Sequence, residues 1–250
     1  MGASRPRPRH DSAHRAYRDT VQGGAGEAAF RVQVEQSDLL VVADAARTAE
    51  LREAASAALR AARGHVKSRI ALDPAFAESL EPVPVPEGAP DIVKRMAEAA
   101  AACGVGPMAA VAGAVAQSVA EALAELTTDA LVENGGGCFL VSTRERTASL
   151  LADPSSGARL GVRFTPMQFP LALCASSGTI GHSLSLGSGD LVAVHARDGA
   201  FADAAATALG NLLRGPKDVE RVIARAEALR EHAPAGVLGV FAQYGEVVAA

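Results

Sequence analysis

The segment Cys174–Asn211 reads CASSGTIGHSLSLGSGDLVAVHARDGAFADAAATALGN, and the rest of the chain can be organised around it. It predicts a Ser/Gly-rich loop, a buried strand at Leu191–His195 and a helix at Phe201–Leu213. The loop over Ser176–Ser183 offers hydroxyls, backbone N–H groups and one histidine, but almost no charge. This chemistry suits a phosphate or a polar cofactor better than a hydrophobic ligand.

Two polar residues of the predicted helix carry a metal hypothesis. Asp203 and Thr207 lie four residues apart, so their oxygens share one helix face, one turn apart. A carboxylate and a hydroxyl near such a loop can hold a hard cation such as Mg²⁺. The structural alternative is that Asp203 caps its own helix and that Thr207 bonds to its own backbone.

The composition is that of an ordinary globular protein. The 250 residues are 49% hydrophobic and 21% charged, with a net charge of −4. We expect a flexible basic tail over residues 1–25 and one domain over residues 26–250. The acidic balance and the 4% aromatic content argue against a nucleic-acid partner.

The cysteines and the termini exclude several further classes. Three widely spaced cysteines without a CxxC pattern favour neither a disulfide framework nor a zinc site, so each is predicted to be a small buried hydrophobe. The basic N-terminus lacks the apolar core of a secretory signal, and no long uninterrupted apolar run predicts a membrane span. We therefore expect a cytoplasmic protein, and self-association into a homo-oligomer stays open.

The first half of the chain predicts two strands followed by helices. FRVQVEQSDLLVVAD predicts a hairpin turning at Gln36–Ser37. Asp44 then caps a helix that ends at Gly64, and a second short helical piece covers 65–70. Another helix spans Asp91–Cys103. After a glycine loop, an apolar helix over Met108–Leu126 is predicted to be buried on nearly all sides. Its first N–H groups are free to receive an anion, but tight helix–helix packing explains the glycines equally well.

The second half is mainly strands. A strand at Thr128–Val132 leads into Glu133-Asn134-Gly135-Gly136-Gly137, where Glu133 and Asn134 either bind a ligand or satisfy the backbone of the turn. Further strands are predicted at 138–141, 148–152, 160–164 and 171–174, with a charged helix at 217–231 and a closing hairpin around 244–245. Strands at both ends with helices between them favour an α+β domain with an antiparallel sheet.

Six segments, in this order, resemble a family of the ApbE-like superfamily, which is related to the FAD:protein FMN transferases. They are FRVQVEQSDLLV, DPAFAESLEPV, GVGPMAAVAGAVAQ, VENGGG, SSGTIGHSLSLG and FADAAATALGN. The resemblance implies a T-fold-like α+β domain. It also implies chemistry in which FMN moves from FAD onto a protein hydroxyl with the assistance of Mg²⁺.

The resemblance also implies site residues. FADAAAT is similar to the transferases' AD-x-x-x-T metal motif, which assigns Mg²⁺ to Asp203 and Thr207. CASSG is similar to a segment near the flavin, and LVENGGG to a strand and turn that shape the cofactor site. Together with the loop chemistry, this predicts cofactor contacts at Asn134, Gly135, Gly136, Ser176, Ser177, Gly178, Thr179, Gly181 and Ser183.

His182 is the predicted catalytic acid or base. In the transferases a His-x-x-Asp-Pro motif occupies this place, whereas Ser185 and Leu186 stand here where Asp and Pro would follow.

Two functions therefore stay open. One is a Mg²⁺-assisted flavin or nucleotidyl transferase; the other is a flavin- or nucleotide-binding protein that has lost the transfer step. A Ser177/His182 hydrolase lacks the GxSxG elbow and an acidic partner. A fourth interpretation makes the loop an oligomer contact.

Overall fold

The computed structural model describes residues 18, 21, 23–153, 158–177, 188–232 and 236–250. Within them the strands are β1 Glu27–Val34, β2 Ser37–Asp44, β3 Ala130–Asn134, β4 Gly137–Val141, β5 Arg146–Asp153, β6 Ala158–Phe164, β7 Leu171–Ser176, β8 Leu191–Ala196, β9 Gly239–Tyr244 and β10 Val247–Ala249. The α-helices are α1 Thr48–Leu72, α2 Ala75–Glu78, α3 Asp91–Cys103, α4 Val111–Ala124, α5 Gly199–Leu212 and α6 Val219–His232.

The described strands form one large antiparallel sheet and a separate hairpin. The large sheet has the order β1-β2-β3-β4-β7-β8-β9-β10, and β5 pairs with β6. The register places Gly137 opposite Asn134 on one side and opposite Cys174 on the other. The β3–β4 turn and the carboxyl end of β7 therefore lie at the same edge of the sheet. The predicted α+β class with antiparallel pairing is confirmed.

The helices cover one face of this sheet. Alternate strand residues such as Val41, Val132 and Cys174 belong to a single buried cluster with the helices. The opposite face carries a smaller buried cluster that includes Leu140, Leu173 and Phe164 of β6. The fold thus has two layers over most of the sheet, and the β5–β6 hairpin covers part of the second face.

Helix α1 corrects the sequence prediction. The chain continues in one helix through Gly64 to Leu72, whereas Gly64 was expected to end it. The buried stripe of Leu59 and Ala62 continues at Val66, and packing of this stripe outweighs the roughly 1 kcal/mol that an internal glycine costs. Asp44 caps the short 3-10 turn Ala45–Arg47 that precedes α1.

Helix α4 lies at the centre of the helical layer. A 3-10 turn at Pro107–Ala110 precedes it, and most of its residues are buried. By length and composition alone, the stretch Pro107–Ala124 could cross a membrane, but more than half of it is buried inside the fold. A core helix of a globular domain has the same properties, so the prediction of a helix surrounded by protein accounts for it.

Candidate functional site

The site is built on a crossing of two helix backbones. A Cβ placed on Gly113 of α4 would lie 2.0 Å from the carbonyl oxygen of Gly199 in α5, and one on Gly199 would lie 2.5 Å from that of Gly113. Only glycine allows this approach. Gln117, which is buried, accepts a hydrogen bond from the N–H of Gly199 at 2.6 Å and fixes the start of α5 against α4.

Asp203 caps the neighbouring helix. Its Oδ2 accepts a hydrogen bond from the backbone N–H of Gly113 at 2.9 Å, and the N–H of Ala112 also donates to this carboxylate. Ala110, the N-cap residue of α4, provides no side-chain cap of its own. The carboxylate of Asp203 therefore satisfies amides that the first turn of α4 leaves unpaired.

This arrangement corrects two expectations. The N–H groups at the start of α4, for which an external anion was one of two alternatives, receive a carboxylate of the protein itself. The alternative in which Asp203 caps its own helix is also wrong, because Asp198 is the N-cap of α5 and accepts from the N–H of Phe201 at 2.8 Å.

The surroundings of Asp203 disfavour the charged form of its carboxyl group. Burial raises its pKa from 3.8 to about 7, although the two amide donors of α4 act in the opposite direction. A small part of the residue is still accessible to solvent. A nearby cation would relieve the cost of the charged form, and such perturbed carboxylates are typical of functional sites.

Thr207 lies one turn further along the same side of α5. In the part of the chain that the structure describes, its hydroxyl has no hydrogen-bond partner. It does not bond to its own backbone as Ser118 does, whose Oγ donates to the carbonyl of Ala114 at 2.9 Å. Asp203 and Thr207 therefore place a carboxylate and a hydroxyl, the latter without a partner among the described residues, one turn apart on the same side of α5.

The β3–β4 turn lies beside the start of α4. The Nδ2 of Asn134 donates to the carbonyl of Ala112 at 3.1 Å. Gly135 and Gly136 adopt φ values of 61° and 101°, which only glycine adopts readily, and they make the tight two-residue turn of the hairpin. The structure therefore brings Asn134, Gly135 and Gly136 next to the helix end that Asp203 caps.

The carboxyl end of β7 completes the described part of the site. The N–H of Ala175 donates to the carbonyl of Gly136 at 3.1 Å. A Cβ on Gly210 would lie 2.8 Å from the Oγ of Ser176, so Ser176 packs directly on α5. Because Gly210 is two turns from Asp203, both lie on the same face of the helix. Ser177 follows directly at the end of the strand.

The remaining predicted site residues are outside the described part of the chain. These are Gly178, Thr179, Gly181, His182 and Ser183. The acid–base role of His182 and the phosphate contacts of this loop stay predictions. The described elements bring together Asn134, Gly135, Gly136, Ser176, Asp203 and Thr207.

Some contacts of the site could not be read from the sequence. The pattern of the apolar helix does not indicate that Gln117 contacts Gly199. Glu133, expected to face a ligand or the turn, accepts from the N–H of Gly136 at 3.1 Å and from Nε of Arg18 at 2.6 Å. The interpretation in which Glu133 satisfies the turn backbone is therefore confirmed.

Other residues singled out by their chemistry take structural positions. The three cysteines are free thiols; Cys103 and Cys174 are buried, as expected for small hydrophobes, whereas Cys138 is only half-buried. Burial raises the pKa of both Cys103 and Cys138 to about 12. His195 packs edge-on against Phe164, and its buried Nε2 has no hydrogen-bond partner among the described residues. Among the described residues, no group of three or more His, Cys, Asp or Glu is arranged to hold a metal ion.

A family model described as AbpE bacteria matches residues 18–246. The chain belongs to this family. A UPF0280 protein of Methanopyrus kandleri is 39% identical over 200 residues, which cover 79% of this chain and 78% of that protein. A UPF0280 protein of Methanosarcina acetivorans is 40% identical over 160 residues and covers 64% of this chain, and the match spans 63% of that protein's length.

Solved structures agree with this placement at the level of the fold. The ApbE protein of Thermotoga maritima has a TM-score of 0.54 at 11% identity, covering 89% of this chain and 96% of that one. The flavinyl transferase ApbE of Pseudomonas stutzeri, in its apo form, has a TM-score of 0.52 at 13% identity, covering 89% and 93%. The AbpE-bacteria chain therefore has the α+β fold of the ApbE-like superfamily.

Proposed function

We propose that the protein binds a flavin nucleotide through its phosphates, together with Mg²⁺, beside Asp203 and Thr207. One observation carries the proposal: a carboxylate whose charge is unfavourable in its surroundings lies one turn from a hydroxyl that has no hydrogen-bond partner among the described residues. The ApbE fold and the resemblance of FADAAAT to a metal motif support the choice of ligand and ion.

The donor set fits Mg²⁺ better than a transition metal. Oδ2 of Asp203 is engaged with the N–H of Gly113, so the second carboxylate oxygen and the Thr207 hydroxyl would be the protein ligands. Mg²⁺ is typically held by one or two carboxylates together with substrate phosphates and water, whereas structural zinc requires about four Cys, His or carboxylate ligands. When bound, the ion neutralises charge on the phosphates.

The chain's own residues would orient the ligand. The Asn134–Gly136 turn exposes backbone between the sheet edge and the start of α4, where a phosphate or a ring can approach closely. Ser176, at the end of β7 on the Asp203 face of α5, would contribute a hydroxyl. His182 would then supply or accept a proton if the bound nucleotide is cleaved.

A second candidate is binding without transfer. Ser185 and Leu186 stand where the transferases' motif has Asp and Pro. Without that carboxylate, His182 lacks the partner that orients an imidazole and stabilises its charged form. The two candidates share the same binding site and differ only in turnover.

The test is a FAD titration of the purified protein with and without Mg²⁺, preceded by a visible absorbance spectrum. We expect Mg²⁺-dependent binding that Asp203→Asn abolishes and Thr207→Val weakens about ten-fold. Asp91→Asn, an exposed carboxylate on α3, and Ser118→Ala, a helical hydroxyl bonded to its own backbone, are the matched controls. Equal FAD affinity with and without Mg²⁺, or unchanged affinity in Asp203→Asn, would refute the metal assignment. Release of AMP from bound FAD would distinguish transfer from binding alone.

A further inference from the structure

Arg18 forms an ion cluster with two carboxylates, the buried Glu133 and the partly exposed Asp38. Its Nε donates to Oε2 of Glu133 at 2.6 Å, a second guanidinium nitrogen also pairs with Glu133, and a third lies 3.0 Å from Oδ2 of Asp38. The side chains of Arg18 and Glu133 are 5% and 6% exposed. Arginine suits this position because its planar fork addresses two acceptors at once.

Glu133 connects this cluster to the candidate site. The oxygen that does not face Arg18, Oε1, accepts the N–H of Gly136 at 3.1 Å. Strand residues alternate between faces. Val132 packs in the helical core and Asn134 reaches Ala112 of α4, so Glu133 projects from the opposite face of the sheet.

The β3–β4 turn is therefore held from both faces of the sheet. Asn134 ties it to α4 on the helical face, and Glu133 ties Gly136 to Arg18 on the other. The carbonyl of Gly136, in turn, accepts the N–H of Ala175, next to Ser176. A shift of the Gly136 peptide would thus move two of the segments that the proposed ligand would contact.

We propose that Glu133 is a positioning residue of this site: it fixes the Asn134–Gly136 turn through the amide of Gly136, and Arg18 supplies its counter-charge. The inference rests on the proposed function for its ligand readout only. A buried carboxylate is tolerated when it is paired and hydrogen-bonded. Arg18, in a region where the sequence predicts a flexible tail, provides that pairing.

Two neutral double variants separate the positioning role from the ion pair. Arg18→Met/Glu133→Met removes both charges and the acceptor for Gly136, whereas Arg18→Met/Glu133→Gln removes both charges but keeps an acceptor. Glu27→Gln/Arg146→Met is the matched control, because it neutralises a second enclosed pair beyond the other end of β3. The readouts are FAD affinity in the presence of Mg²⁺ and hydrogen exchange at the Gly136 amide by NMR.

We expect Arg18→Met/Glu133→Met to weaken FAD binding about ten-fold and to accelerate exchange at Gly136 by a similar factor. Arg18→Met/Glu133→Gln should restore both values to those of the control. Equal values in the two double variants would overturn the inference. If the unmodified protein does not bind FAD, the proposed function fails, and the exchange rates at Gly136 still decide the role of Glu133.

Discussion

Replacing Asp203 by Asn should stabilise the protein at alkaline pH while removing its affinity for Mg²⁺. The amide oxygen of Asn can still accept the N–H of Gly113, so the cap on α4 is kept. The substitution removes a negative charge from a position where burial raises the pKa of the carboxyl to about 7. The two proteins should therefore differ most where the carboxylate is ionised.

The magnitude follows from proton linkage. Between pH 4 and pH 7 the folded state holds a proton on Asp203 that the unfolded chain has released, so stability falls as the pH rises through this window. From pH 5 to pH 8 a full shift would remove about 3 kcal/mol, since each pKa unit is worth about 1.4 kcal/mol. Partial solvent access reduces this, and we expect about 1–3 kcal/mol.

The assay is urea unfolding of both proteins at pH 5 and pH 8. The quantity of interest is the change in their stability difference, because it cancels groups common to both. His195 is one such group: burial lowers its pKa, so its own contribution to stability increases with pH through the same region. Relative to Asp203→Asn, the unmodified protein should lose about 1–3 kcal/mol between the two pH values.

The same unfolding experiment in the presence of Mg²⁺ tests the metal site. At pH 8 the ion should restore stability to the unmodified protein, by about 2.7 kcal/mol at a hundred-fold excess over its dissociation constant, and should leave Asp203→Asn unchanged. A stability difference that does not vary with pH would refute the electrostatic argument. Equal stabilisation of both proteins by Mg²⁺ would refute the metal site while leaving that argument intact.

Three further predictions concern the scaffold. Gly113→Ala should destabilise the protein by about 3 kcal/mol in urea unfolding, because the new methyl would meet the carbonyl of Gly199; a neutral effect would contradict the close crossing. Arg146→Met should cost about 3 kcal/mol at pH 7, because it leaves the enclosed Glu27 carboxylate without its principal partner. Arg146 lowers the pKa of Glu27, so this difference should shrink below pH 4.5, and a constant difference would argue against the ion pair. All three thiols should be unreactive toward Ellman's reagent at pH 8 until urea is added, because burial raises their pKa values.

Elements with local start and stop signals were predicted accurately. Helix α3 begins after Pro90 and ends at Cys103, and Gly104 adopts a left-handed φ of 72° at its C-terminus. Both boundaries depend on residues next to the helix, so the sequence alone determined them. Gly64 was different. Glycine commonly ends helices, but α1 continues beyond Gly64 because Val66 packs in the core.

The site was predicted as a set of residues but not as a set of contacts. The order of the motifs predicts Asn134, Ser176, Asp203 and Thr207 as candidate site residues, and the fold brings their segments to one region. That Asp203 caps α4 depends on the close approach of Gly113 and Gly199, which are 86 residues apart in the chain. No local pattern encodes such a crossing. The charged partner of Glu133 likewise lies far away in the chain, at position 18.

A single substitution of Asp203 can confuse its observed role as a cap of α4 with its proposed role as a metal ligand. As a cap it stabilises the start of α4, and as a metal ligand it would require the charge that burial disfavours. Asp203→Ala removes both, so a loss of ligand binding in that variant would also be expected from a disordered helix end. Asp203→Asn keeps the acceptor and removes the charge. Under either role, the Asn variant should be well folded and more stable at pH 8. A metal-binding role predicts that it is also indifferent to Mg²⁺, whereas a purely structural role predicts the same FAD affinity as the unmodified protein.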